Sequence, residues 1–214
     1  MYLPAHFRED RLEVQHALIR AHPLGLLVTA GPGGLMANAI PVTLEAGLGA
    51  HGTLRMHLAR ANPQWRELDG NSACMIVFQG PQAYVTPSWY ATKREHGKVV
   101  PTWNYVTVHV WGTPMVHDDA VWMRAQVDQL TGDREKSRAE PWAVSDAPDA
   151  FVASQMRGIV GVEIPIQRIE GKWKVSQNRP EADRVGVHAG LMADGETNAA
   201  MATVVAALGG LSRQ

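Results

Sequence analysis

The sequence predicts a mainly β protein of the α+β class, an antiparallel sheet or barrel carrying peripheral helices. Short strand-like runs separated by turn residues fill the first half of the chain, a pattern of antiparallel neighbours rather than of alternating βαβ units. Helical spacing is concentrated in the second half. The composition can supply a core: 214 residues, 45% hydrophobic and 19% charged, and a chain of this length buries roughly 70% of its unfolded surface.

Taken in order, Glu13 to Ala21 sets Val14, Ala17 and Leu18 at helical spacing. His22-Pro23 stops that helix, because the residue before proline disfavours the α region. Leu24 to Ala30 is an apolar strand, Gly31-Pro32-Gly33-Gly34 a turn, and Leu35 to Leu44 the next strand. Thr53 to Leu58, Ala73 to Gln79 and Val106 to Val116 come next as strands. Asp118-Asp119 caps a helix running through Leu130, and Asp146 to Gln155 suggests another. Ile159 to Ile169 reads as one strand and Gly171 to Val175 as a turn leading into another. Pro180 to Leu191 and Glu196 to Leu208 are helical and expected outside the barrel.

Charge and motifs exclude several function classes. Lys plus Arg total 20 against 21 for Asp plus Glu, a net charge of −1, which gives no global drive toward DNA or acidic membranes. The single cysteine, Cys74, excludes a disulfide framework or a multi-cysteine zinc site and reads as a small buried hydrophobe. No phosphate loop, nucleophile elbow, zinc-protease motif or basic recognition helix is present, and the 9 histidines show no ligand spacing, so no metal site is expected. Neither a signal peptide nor an apolar run of about 20 residues is visible. A cytoplasmic setting is the expectation.

Three segments concentrate chemistry. In Thr53-Leu54-Arg55-Met56-His57-Leu58-Ala59-Arg60-Ala61-Asn62-Pro63, Arg55 and His57 share one strand face. Asn62 can cap a helix starting at Pro63, whose free N–H groups, with Arg55 and Arg60, would receive a phosphate dianion. The alternative is solvated arginines beside an ordinary cap. Thr86-Pro87-Ser88-Trp89-Tyr90 through Lys98 to Trp103-Asn104-Tyr105 packs aromatics, amides and ammonium groups as a planar anionic ligand requires; core filling or a dimer contact are the alternatives. Lys172 to Pro180, with Trp173, Gln177 and Arg179, is a third such concentration, and also the natural end of a strand leading into a helix.

At these segments the chain resembles the PaiB-like family of FMN-binding negative transcriptional regulators. The resemblance runs from Met1 to about Leu191. It is most specific at His57-Leu58-Ala59-Arg60-Ala61-Asn62-Pro63, Val77-Phe78-Gln79-Gly80-Pro81, Ser88-Trp89-Tyr90, Gly97 to Tyr105 and Ser176-Gln177-Asn178-Arg179-Pro180. It implies the FMN-binding split barrel, a six-stranded antiparallel Greek-key barrel, spanning residues 1–191 with helical additions and followed by a helical tail over 192–214. It further implies a homodimer whose clefts draw on both subunits. On that model Arg55, His57, Arg60 and Asn62 would face the FMN phosphate and ribityl chain, and Asn38 and Ile40 would lie beside the isoalloxazine ring. Trp173, Gln177 and Arg179 resemble residues placed near the flavin late in such chains, and Lys98, Trp103 and Asn104 would reach a site through the dimer interface. No catalytic acid or base is implied. Three functions remain open: a flavin-dependent regulator, not supported as a direct DNA binder by charge or motif; an FMN-dependent oxidoreductase acting on a small organic substrate; and a dimeric interaction module without cofactor.

Overall fold

The computed structural model describes residues 1–208. The end of the expected tail, residues 209–214, lies outside the described residues. In chain order the elements are β1 (Arg8–Glu9), α1 (Leu12–Ala21), β2 (Leu24–Gly31), β3 (Gly34–Glu45), β4 (Thr53–Ala59), β5 (Cys74–Val85), α2 (Thr92–His96), β6 (Thr102–Gly112), β7 (Met115–His117), α3 (Ala120–Glu135), α4 (Asp149–Met156), β8 (Ile159–Pro165), β9 (Arg168–Lys174), α5 (Glu181–Ala193) and α6 (Glu196–Leu208). The hydrogen-bonded strand order is β1-β9-β6-β5-β2-β3-β4-β8-β7. Among the described residues, nine strands stand in the sheet where six are expected of the barrel. The short β1, of 2 residues, carries too few residues to show periodicity in sequence.

The chain forms two compact units. Of the described residues, the first comprises Met1–Gln15, Gln79–Val108 and 170–208; the second comprises His16–Phe78 and His109–Ile169. In the second unit β2 and β3 form a hairpin with Gly31 opposite Gly34, so Pro32-Gly33 is the whole loop. β3 pairs with β4, β4 with β8, and β8 with β7, all antiparallel. Leu54, Met56 and Leu58 of β4 are buried on one face with Val160, Val162 and Ile164 of β8. Asp119 caps α3 by accepting the Trp122 N–H at 2.8 Å. α3 extends to Glu135, past the expected end at Leu130.

Two boundaries differ from expectation for local reasons. The strand read as Val106 to Val116 is interrupted by Thr113-Pro114, splitting it into β6 and β7; proline cannot donate to the ladder. The run Ile159 to Ile169 is likewise two strands, turning at Ile166-Gln167. Gly171, expected in a turn, lies inside β9 opposite Glu9. A Cβ there would stand 2.8 Å from the Glu9 carbonyl oxygen, so this glycine serves close strand approach.

In the first unit α5 and α6 bury Val187, Leu191, Met201, Ala202 and Val205. Asp183 of α5, fully buried, accepts hydrogen bonds from the Thr92 backbone N–H at 3.0 Å and its hydroxyl at 2.8 Å, fixing the start of α2.

Candidate functional site

The expected site residues divide evenly between the two units. In the second unit, alternation on β4 does put Arg55 and His57 on one face, and that face meets α3. Arg55 Nε donates to Glu163 at 2.6 Å, and its guanidinium lies 5.9 Å from the Trp122 ring centroid. His57 Nδ1 is 2.8 Å from Gln126 Oε1. Arg60 forms a fork with Asp118 at 2.5 and 3.1 Å and also donates to the carbonyls of Arg157 and Ile159, both at 2.9 Å. The Asp118 carboxylate raises the Arg60 pKa and is itself held below its usual range by that guanidinium. Both arginines therefore already have carboxylate partners.

Asn62 caps as expected, its Oδ1 accepting the Gln64 N–H at 3.0 Å. The helix it caps is a 3-10 helix of only 5 residues, Pro63–Glu67, so the expected dipole of a full α-helix is lacking. Gln64 is completely buried and donates to the Leu27 carbonyl at 2.9 Å, while accepting from Asn38 Nδ2 at 2.9 Å. Asn38 and buried Ile40 thus occupy the inner face of the β2–β3 hairpin.

In the first unit, the two other segments meet. Asn104, fully buried on β6, donates to Ser176 Oγ at 2.9 Å. Ser176 adopts φ 66, a conformation costing a non-glycine residue on the order of 1–3 kcal/mol. Gln177 fixes the same turn, donating to the Trp173 carbonyl at 2.5 Å and accepting the Val175 N–H at 2.8 Å. Lys174 donates to the Thr102 hydroxyl and, at 2.6 Å, to the Trp103 carbonyl. The Arg179 guanidinium lies 4.5 Å from the centroid of the buried Tyr90 ring. Trp173 is buried. Trp103 is half exposed and donates to Gln82 at 3.0 Å. Lys98 is exposed, its backbone N–H bonded to His96.

Thr102, Asn104, Lys174, Ser176, Asn178 and Arg179, with Phe7 and Val100, line a cavity of about 100 Å³. Burial pushes the Lys174 pKa down, and the neighbouring charges of Lys172 and Arg179 push it further. Neither Lys174 nor Arg179 has a carboxylate partner among the described residues. This donor set fits an anionic group: two uncompensated cations beside hydroxyls and amides. The volume suits a phosphoryl group rather than a whole organic cofactor, for which pockets of about 300–1,000 Å³ are usual.

Fold and donor set together define a split-barrel protein equipped for a phosphorylated ligand. A family model described as "Putative FMN-binding domain" matches residues 1–168. The chain belongs to this FMN-binding family, and FMN is its cofactor. It is 36% identical over 225 residues to an uncharacterised protein of Emericella nidulans, covering 89% of this chain and 90% of that one. It is 32% identical over 188 residues to the protease synthase and sporulation protein PAI 2 of Bacillus subtilis, covering 87% of each. Among solved structures, the FAD and heme binding protein of Mycobacterium smegmatis superposes with a TM-score of 0.56 at 18% identity, over 78% of this chain and 73% of that one. That last likeness concerns the fold.

Sequence reasoning named Asn104 and Arg179 but passed over Lys174, Ser176 and Thr102. Lys174 stood inside a segment singled out for its cations; what was missing was the pairing that brings Thr102 beside it. Glu163 and Gln126, which occupy Arg55 and His57, carried no local signal. Among the described residues no cluster of three or more potential metal ligands occurs, and no helix is long and apolar enough to cross a membrane.

Proposed function

We propose that this protein is a cytoplasmic, homodimeric, FMN-dependent regulator, in which Lys174 and Arg179 hold the flavin phosphate. The observation that carries this reading is the pair of uncompensated cations converging with Asn104, Ser176 and Thr102 on one small cavity. FMN, when bound, supplies one- and two-electron redox chemistry. The chain's own residues bind and orient it. Cys74 is no candidate nucleophile: burial pushes its thiol up to about 11. The name of the Bacillus relative, protease synthase and sporulation protein PAI 2, includes sporulation, a cellular process rather than a reaction; that part of the name favours regulation. With a net charge of −1, the regulatory step is assigned to a protein partner rather than to direct DNA contact.

The dimer is supported by the outer face of the β2–β3 hairpin. Leu24, Leu26, Val28 and Ala30 pair across the strands with Pro41, Ala39, Ala37 and Leu35, giving a face with no polar side chain. Leu24, Leu26 and Leu35 are 62%, 41% and 81% exposed. A second copy of the same face is the occupant we assign, because one apolar patch can satisfy another across a twofold axis.

Titration with FMN and with riboflavin tests the phosphate assignment. The protein should prefer FMN, and R179M and K174M should each erase most of that preference. Equal affinity for the two flavins, or unchanged preference in both variants, refutes it. Bleaching of the bound flavin by a reduced nicotinamide would instead favour an oxidoreductase. The regulatory role requires that the R179M variant fail to restore wild-type expression of the target genes in a deletion strain.

A further inference from the structure

The second unit contains a larger cavity, of about 510 Å³, that flavin phosphate binding at Lys174 and Arg179 does not use. Its floor is apolar, formed by Met123 and Val152, 4% and 7% exposed, and the more open Ala120, Ala153 and Met156 extend it toward the surface. Its rim carries both signs of charge. Arg60 and Asp118 are committed to each other. Arg124 reaches Asp128 through Nε only, at 2.8 Å, leaving its terminal nitrogens free of that bond. The side chains of Arg157 and Asp149, both solvent-exposed on the rim, have no hydrogen-bond or ion-pair partner among the described residues, and they do not pair with one another.

An apolar floor beneath an uncommitted guanidinium and an uncommitted carboxylate is complementary to a small zwitterion with an apolar side chain. A purely apolar ligand would use neither charge, which would stay solvated, and a simple anion would face Asp149 unfavourably. The geometry points to a binding site for an apolar α-amino acid, its carboxylate on Arg157 and Arg124, its ammonium on Asp149, and its side chain over Met123, Val152 and Met156. This site is independent of the flavin assignment.

The test is calorimetric titration of the FMN-loaded protein with L-leucine, L-methionine and L-phenylalanine, beside the matching deaminated acid and decarboxylated amine. At least one amino acid should bind, and loss of either charged group from it should weaken binding about tenfold or more, as for one charge-assisted contact. R157A and D149N should each produce a similar loss while leaving FMN affinity and the far-UV spectrum unchanged. V152W, which fills the floor, should abolish binding. Binding of none of the three amino acids overturns the proposal, as does binding that survives both R157A and D149N. Equal binding of the deaminated acid would show a carboxylate site and overturn the zwitterion assignment. Loss of FMN affinity in R157A would place the flavin here and overturn both this proposal and the phosphate assignment, whereas failure of amino-acid binding alone leaves the latter standing.

Discussion

Replacing Leu26 by aspartate puts a charge near the middle of the apolar β2–β3 face. Leu26 is 41% exposed and directed away from the core, opposite Ala39, so the isolated fold should tolerate the change. The exposed parts of Leu24, Leu26 and Leu35 amount to about two whole leucine side chains, which at about 1.5–3 kcal/mol each would contribute ~3–6 kcal/mol per protomer on burial. A symmetric pair doubles that to ~6–12 kcal/mol, comparable with the estimated 4–15 kcal/mol that association costs in lost freedom. The remaining contacts of the face therefore decide net affinity, and a loss of even ~3 kcal/mol weakens a dimer by more than a hundredfold. L26D adds a desolvation penalty of several kcal/mol for each buried carboxylate. Sedimentation at micromolar concentration should give a wild-type dimer and an L26D monomer with an unchanged far-UV spectrum. A monomeric wild type, or an L26D dimer of undiminished affinity, would refute the reasoning.

Three further outcomes are expected. Because burial, Lys172 and Arg179 depress the Lys174 pKa, FMN affinity should fall as pH rises through that lowered value, below the ordinary lysine pKa of 10.5; in the flavin-free protein the unfolded chain binds the extra proton in the same window, so stability rises with pH there, and K174M should remove both trends in fluorescence and chemical-denaturation titrations. G190A should destabilise by about 1–3 kcal/mol, read as a lowered Tm, because the added Cβ would stand 2.3 Å from the Trp89 ring. Q64A should cost about 2–4 kcal/mol in urea denaturation by removing partners of the Leu27 carbonyl and Asn38.

Much of the fold was legible because its signals are local. The β2–β3 hairpin could be read from two apolar runs flanking Gly31-Pro32-Gly33-Gly34, and α5 and α6 from helical spacing alone. Boundaries failed where one backbone detail outweighs a run of favourable residues, as at Pro114 and at Ile166-Gln167. The candidate site was legible as segments but not as partners. Arg55 in its sequence context is a free cation; in the fold it belongs to Glu163, which is 108 residues distant.

The sequence by itself determined the antiparallel class, the helical periphery, the buried thiol and the three segments richest in cations and amides, since composition, period and turn chemistry are properties of neighbouring residues. Tertiary structure alone decided which cations remain available. Arg55 and Arg60 meet carboxylates on β8 and just before α3, whereas Lys174 and Arg179 have no carboxylate partner among the described residues and meet hydroxyls, amides and aromatic faces. The physical reason is that the free charge of a side chain depends on what lies within a few ångströms of it, and strand pairing sets those neighbours across separations that no local pattern records.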